Sequence, residues 1–230
     1  MRRSRANGLV AVSCAMLAVG ACSSAPRPAT GASPLPPGVG QMGDAAAMAR
    51  ARADSARLPY TKADIHFMSG MIGHHAQAIR ISRWVPTHGG SESIRTLSER
   101  IINAQQDEIH LMQTWLRDRN QPAPQPGATG TMMMMDGMEH EMTMPGMLTD
   151  AQLKELDGAR GEAFDVLFLR FMIQHHQGAV EMVKELFATP RAGQDELVFK
   201  FASDVNVDQT TEIARMQRML FDAMLKQHSQ

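Results

Sequence analysis

One stretch of this 230-residue chain occurs twice, and that repeat constrains the fold more than any other feature. The first copy reads Asp64-Ile-His-Phe-Met-Ser-Gly-Met-Ile-Gly-His-His-Ala-Gln-Ala-Ile79. The second reads Asp165-Val-Leu-Phe-Leu-Arg-Phe-Met-Ile-Gln-His-His-Gln-Gly-Ala-Val180. An offset of 101 residues lays Phe67 on Phe168, Met71 on Met172, and His74-His75 on His175-His176. Each copy is followed by a second shared pattern, Gln105-x-x-Glu108-Ile109-x-x-Met112 and Gln209-x-x-Glu212-Ile213-x-x-Met216. Self-similarity this close indicates a duplicated structural unit.

The period within each unit is helical. Phe67, Met68, Met71, Ile72, His75, Ala78 and Ile79 share one face of a 3.6-residue wheel. The spacing predicts a first helix from Thr61 to Val85, opened by Thr61 and Asp64 at capping-box spacing. Pro86 and Gly89-Gly90 stop it. A second helix is expected from Ser91 to Arg119, and a third from Thr149 to Ala188, weakened by Gly158 and Gly161. A fourth should run from Asp195 to Lys226. No segment shows a convincing strand pattern. Two αα-hairpins with short loops and one long crossover make an all-α, four-helix bundle.

The bundle is expected over residues 59–229, with hairpins at 59–120 and 149–229 and a Met-rich linker at 121–148. Ahead of it lie two segments of other character. Residues 1–21 open with Arg2, Arg3 and Arg5 and then run apolar from Leu9 to Val19, the pattern of a secretory signal. Val19-Gly20-Ala21-Cys22 resembles a bacterial lipobox, which would make Cys22 a lipidated first residue. Residues 22–58, rich in Ala, Pro, Gly and Ser, read as a tether. Loss of the signal takes the formal charge from −1 to −4 and leaves a chain with no free thiol. That charge offers no basic surplus for nucleic acid.

Polar residues recur on the buried faces. His75 and His176 lie at the centre of their apolar stripes, with Met71 and Met172 one turn before each. Glu108, Gln105 and Met112 occupy the centre of the second helix's stripe, as Glu212, Gln209 and Met216 do on the fourth. His74 and His175 fall at the stripe's edge, open either to solvent or to a ligand role. Folding each hairpin about its turn sets His75 level with Gln105 and Met71 level with Glu108. In the second hairpin it sets His176 level with Asn206 and Gln209, and Met172 with Glu212. The expected inner layer is His75, Glu108, His176, Glu212, Met71 and Met172. Buried polar groups need partners, so the layer is either an internal hydrogen-bond network or a metal site. Asp64 is either a first-turn helix carboxylate or, with Asp165, a further site residue.

Methionine adds a second signal. Of 20 in the chain, eight lie in the linker: Met132, Met133, Met134, Met135, Met138, Met142, Met144 and Met147, with His140 among them. Thioether sulfur is soft and suits Cu(I). The same run could equally pack on the bundle or act as an oxidant trap.

The Phe-x-x-x-Met-Ile-x-His-His-x-x-Ala pattern of Phe67–Ala78 and Phe168–Ala179, with Gln105–Leu116 downstream, resembles the domain of unknown function 305 family. The second copy departs mildly, with Met219-Leu220 in place of Trp-Leu. The resemblance implies a ferritin-like bundle in secreted or envelope proteins, some of them periplasmic copper-binding proteins that use Met and His. Ferroxidase chemistry is not expected, because the Glu-x-x-His motif of di-iron bundles does not occur on these helices.

The expected protein is a non-enzymatic envelope lipoprotein that binds copper through Met and His, for sequestration, tolerance or delivery. Its expected partners are a membrane, through the lipid anchor, and an envelope metal-handling protein. In a Gram-negative cell the anchor would favour the outer membrane. The alternatives are a metal-free structural or interaction bundle and a metal-dependent redox enzyme. Oligomeric state is not encoded in any motif.

Overall fold

The computed structural model describes residues 59–126, 131–135, 138–142 and 144–228, with residues 131–135, 138–142 and 227–228 described by backbone alone. The expected signal segment 1–21, Cys22 and the tether 22–58 lie outside the described residues. The body is an all-α bundle. Its helices are α1 (Lys62–Ser82), α2 (Glu92–Arg117), α3 (Asp150–Gly158), α4 (Gly161–Ala188) and α5 (Glu196–His228). α1 packs on α2, α4 packs on α5, and α1 against α4 joins the two hairpins. Among the described residues, no helix is long and apolar enough to cross a membrane.

Local chemistry explains the helix starts. Thr61 and Asp64 form a full capping box: Asp64 N–H donates to Thr61 Oγ1 at 3.2 Å, and Thr61 N–H donates to Asp64 Oδ2 at 2.6 Å. Thr149 and Gln152 repeat the device at α3. Asp195 caps α5, accepting from Val198 N–H at 3.2 Å, and is held by Trp115 Nε1 at 3.0 Å and Arg119 Nη2 at 2.5 Å.

Two expectations about elements are corrected. The third helix is broken: Ala159 and Arg160 are extended, and α4 restarts at Gly161, whose φ of +58° favours glycine. Gly161 N–H donates to His88 O at 2.8 Å, so the break docks on the first hairpin's turn. The crossover also contains strands. β1 (Thr131–Met135) and β2 (Met138–Met142) pair antiparallel, with Met133 opposite His140. Four consecutive methionines carry no period-2 alternation, so the usual strand signal was absent.

The repeated aspartates each tie one hairpin to the turn of the other. Asp64 Oδ1 accepts from Gly193 N–H at 2.7 Å, and Asp165 accepts from Ser91 N–H at 3.2–3.3 Å. This exchange explains their recurrence at the same repeat position. Both serve the fold: Asp64 opens α1, and Asp165 receives the N-terminal amide ahead of α2.

The crossover is seated where the two copies differ. Repeat position 77 is Gln77 in the first copy and Gly178 in the second. Gln77 clamps Leu148 at both backbone groups, donating to its O at 3.0 Å and accepting from its N–H at 2.7 Å. Gly178 lets the crossover backbone lie directly on α4: a Cβ there would stand 1.9 Å from Pro145 O and 2.6 Å from Gly146 Cα. Gly178→Ala should therefore displace the crossover and cost roughly 3 kcal/mol, read as a lower urea midpoint. An unchanged midpoint would show that the crossover seat is soft.

Candidate metal centre

Four histidine rings form a row across the bundle. Centroid separations are 6.3 Å for His75–His74, 3.8 Å for His74–His175 and 6.2 Å for His175–His176. A glutamate closes each end. His75 Nε2 lies 2.6 Å from Glu108 Oε2, and His176 Nε2 lies 2.8 Å from Glu212 Oε2. The His176 contact is an aligned hydrogen bond. The His75 contact is close but off the hydrogen-bond angle, leaving both of its atoms without an aligned partner. All four rings are buried, at 0–1% exposure.

The hairpin register differs from the expected one by about one helical turn. His75 faces Glu108 rather than Gln105, and His176 faces Glu212 rather than Asn206 or Gln209. Continuing the antiparallel register brings Met71 level with Met112 and Met172 level with Met216. In both hairpins the pairing therefore centres further along the chain than the expected fold points near Gly89 and Arg191. Of the expected inner layer, His75, His176, Met71 and Met172 are each 0% exposed, whereas Glu108 and Glu212 are partly buried. Met71 packs in one core cluster with Met112, and Met172 in another with Met216.

His74 and His175 are not solvated edge residues. Burial comes from groups that a single-helix wheel omits. The crossover covers His74, whose Nε2 sits 3.1 Å from Pro145 O, and His175 Nε2 sits 3.0 Å from the backbone O of His74. A carbonyl oxygen only accepts, so in both rings Nε2 carries the hydrogen. Burial, followed by the neighbouring His75, pushes the His74 pKa down to about 3. Burial, then His74, His176 and His75, holds His175 well below its ordinary value. Both rings are therefore neutral, and each keeps an unprotonated Nδ1 with a lone pair. Neither Nδ1 has a hydrogen-bond partner, and the Nδ1 atoms of His75 and His176 lack one too.

Five buried ring nitrogens without an aligned partner, the four Nδ1 atoms and His75 Nε2, are expensive in a metal-free core. Metal-binding histidines commonly donate the other ring N–H to a carbonyl or carboxylate, and His74, His175 and His176 have that arrangement. Among the described residues, no three His, Cys, Asp or Glu side chains converge well enough to hold a metal by themselves. A metal in this layer must then use fewer nitrogens or add thioether sulfur. Sulfur is at hand. Met71 and Met172 lie one turn from His75 and His176, and Met144 and Met147, in the last part of the crossover, are themselves buried. The Met144 sulfur would be 2.9 Å from a Cβ on Gly70, one turn before His74. The side chains of Met132, Met133, Met134, Met135, Met138, His140 and Met142 lie outside the described residues.

An acidic group borders the row's ends. Burial raises the Asp208 pKa, with Glu108, Asp204 and Glu212 adding repulsion. Sequence reasoning missed Asp208 because it belongs to no repeated motif. It also missed Gln77, although the Gln77/Gly178 mismatch between the repeats marks the crossover seat. A cleft of about 460 Å³ beside Trp84, Arg80 and Gln106 and another of about 300 Å³ beside Ile94, Asp165 and Met219 include none of the four histidines.

A family model described as Domain of unknown function (DUF305) matches residues 64–220. The chain belongs to the DUF305 family. A DUF305 protein of Streptomyces coelicolor, described as secreted, is 29% identical, covers 70% of this chain and 93% of its own, and superposes with a TM-score of 0.58. A DUF305 fragment from Deinococcus radiodurans is 26% identical over 72% of this chain and 99% of its own, with a TM-score of 0.59. CopM, in its Cu(II)-bound form, is 28% identical over 69% of this chain and 96% of its own, with a TM-score of 0.53. CopM has also been solved with Cu(I) and with silver. An uncharacterized protein, L153, of Acanthamoeba polyphaga mimivirus is 38% identical over 56 residues, which span 37% of that protein. The family shares the helical bundle, and the histidine row lies within the matched region.

Proposed function

We propose that this protein binds copper as cargo in the cell envelope, taking Cu(I) at the buried histidine row with methionine sulfur. One observation carries the reading: His74 and His175 are neutral, buried and in close tilted ring contact, and each holds an unpartnered Nδ1 lone pair. Neutral imidazole and thioether are donors for Cu(I). The acidic residues at the row's ends, Glu108, Asp208 and Glu212, favour cations near it. Similarity to CopM, solved with Cu(I), Cu(II) and silver, supports the same choice of metal.

The proposed ligands are drawn from His74, His175, His75 and His176, fewer than three of them on one ion, with sulfur from Met71, Met172, Met112, Met216, Met144 or Met147. Glu108 and Glu212 orient the outer rings. The linker methionines Met132–Met135, Met138 and Met142, with His140, supply a second, labile capacity. An extracytoplasmic location fits the signal-like segment, the lipobox at Cys22 and the secreted Streptomyces relative. Lipidation of Cys22 would tether the bundle to a membrane facing the periplasm, where it buffers copper or passes it to another envelope protein.

The metal-free network reading has its own support, since the His176–Glu212 hydrogen bond and each His–carbonyl contact occupy one ring nitrogen without any metal. It leaves the four Nδ1 atoms unexplained. Redox catalysis needs a metal that substrate can reach, and rings at 0–1% exposure suit storage better.

Titration of the purified protein with Cu(I) against a competing chelator tests the reading. At least one site tighter than about 1 μM is expected. Absence of any such site refutes it.

A further inference from the structure

The outer face of α5 is unlike the rest of the bundle surface. From Phe199 to Leu225, a sector about 100° wide carries no charged residue. Its members include Phe199, Val207, Thr210, Ala214, Phe221 and Leu225. The apolar ones are well exposed: Phe199 57%, Val207 60%, Phe221 63% and Leu225 52%. The exposed apolar side chains gather at the two ends of this sector, Phe199 and Val207 at one and Phe221 and Leu225 at the other. They are joined across some 40 Å by the uncharged Ser203, Thr210, Ala214 and Gln217, and paired apolar patches of this kind suit an interaction surface.

The charges beside the stripe identify the occupant. Lys200, Asp204, Arg218 and Asp222 all lie along one edge. In a two-fold antiparallel helix pair, each edge meets its own copy. With the two-fold at Thr211, Lys200 comes level with the partner's Asp222, and Asp204 with the partner's Arg218. Both pairs are of opposite sign, and symmetry gives each of them twice. The same register sets Phe199 between Phe221 and Leu225 of the partner subunit. Near the two-fold, the small side chains of Thr210 and Ala214 let the helices approach closely. A parallel pairing would bring this edge against the uncharged side instead.

We propose that the protein forms a two-fold homodimer through the outer face of α5, in antiparallel register centred on Thr211. Glu212 points to the other side of α5, toward His176, so the contact leaves the histidine row unobstructed. The proposal is independent of copper binding.

Sedimentation equilibrium of the purified protein tests it, with circular dichroism to confirm that each variant stays helical. A dimer is expected at about 100 μM, and Val207→Asp should weaken it at least about tenfold. K200D sets like charges opposite each other and should weaken it similarly, as should D222K. The double variant K200D/D222K should restore the wild-type constant within about threefold. A protein monomeric at that concentration overturns the proposal, as does a dimer indifferent to Val207→Asp. Failure of the charge swap to rescue overturns the antiparallel register. Vesicle binding that Val207→Asp abolishes, in a protein otherwise monomeric, would assign the stripe to a lipid surface and also overturns it.

Discussion

Replacing His74 and His175 together by phenylalanine is expected to weaken Cu(I) binding at least about 100-fold. Removing a group that merely orients a metal ligand costs about 10- to 100-fold, so removing two ligands should cost no less. Phenylalanine keeps the aromatic volume between α1 and α4, where the tilted rings have centroids 3.8 Å apart. The bundle should therefore survive, although Pro145 O and His74 O each lose a donor. A competition titration measures the affinity, and far-UV circular dichroism checks the fold. Changing Met132–Met135 to leucine is the companion experiment. It should lower the total copper taken up while leaving the tightest site in place. Wild-type affinity in the histidine variant, with loss in the leucine variant, would move the site to the ribbon.

The same two rings make the metal-free protein acid-labile. An unfolded histidine binds its proton with a pKa near 6.5, whereas folded His74 does so only near 3. His175 is held low in the same direction by burial and by the neighbouring imidazoles. Between those values the unfolded chain binds more protons, so stability falls as pH falls. The contribution is fully present above pH 6.5 and drains away on acidification toward pH 3. Each group gives a slope of up to about 1.4 kcal/mol per pH unit, and the pair up to about 2.7. Urea unfolding from pH 7 to pH 4 should show this slope in the wild type and a much flatter one in the phenylalanine double variant. Equal slopes would mean that the two rings are not held neutral by the fold.

Much of the architecture was legible because the duplicated unit carries its own punctuation. Thr61–Asp64 and Thr149–Gln152 cap helices where their spacing indicates. That His75, His176, Glu108 and Glu212 share an inner layer was legible, but the register was not, and each His meets its Glu about one helical turn from the expected level. What a single-helix wheel could not supply was the environment beyond that helix. His74 sits at an edge on its own wheel, yet it becomes core once Pro145 and His175 close over it. Asp64 looked like a local first-turn carboxylate, and the long-range bonds of Asp64 to Gly193 and of Asp165 to Ser91 appear only when the hairpins meet. The strand pair in the crossover, Thr131–Met135 with Met138–Met142, had no alternation to announce it.

The central claim concerns two atoms, Nδ1 of His74 and Nδ1 of His175. Nitrogen-15 NMR of the histidine side chains reads their protonation and metal state directly. At pH 6 without metal, both should show the signature of an unprotonated ring nitrogen, with Nε2 carrying the hydrogen. One equivalent of Cu(I) should then shift both. Protonated Nδ1 atoms in the metal-free protein, or signals unmoved by Cu(I) that the protein has demonstrably bound, would contradict it.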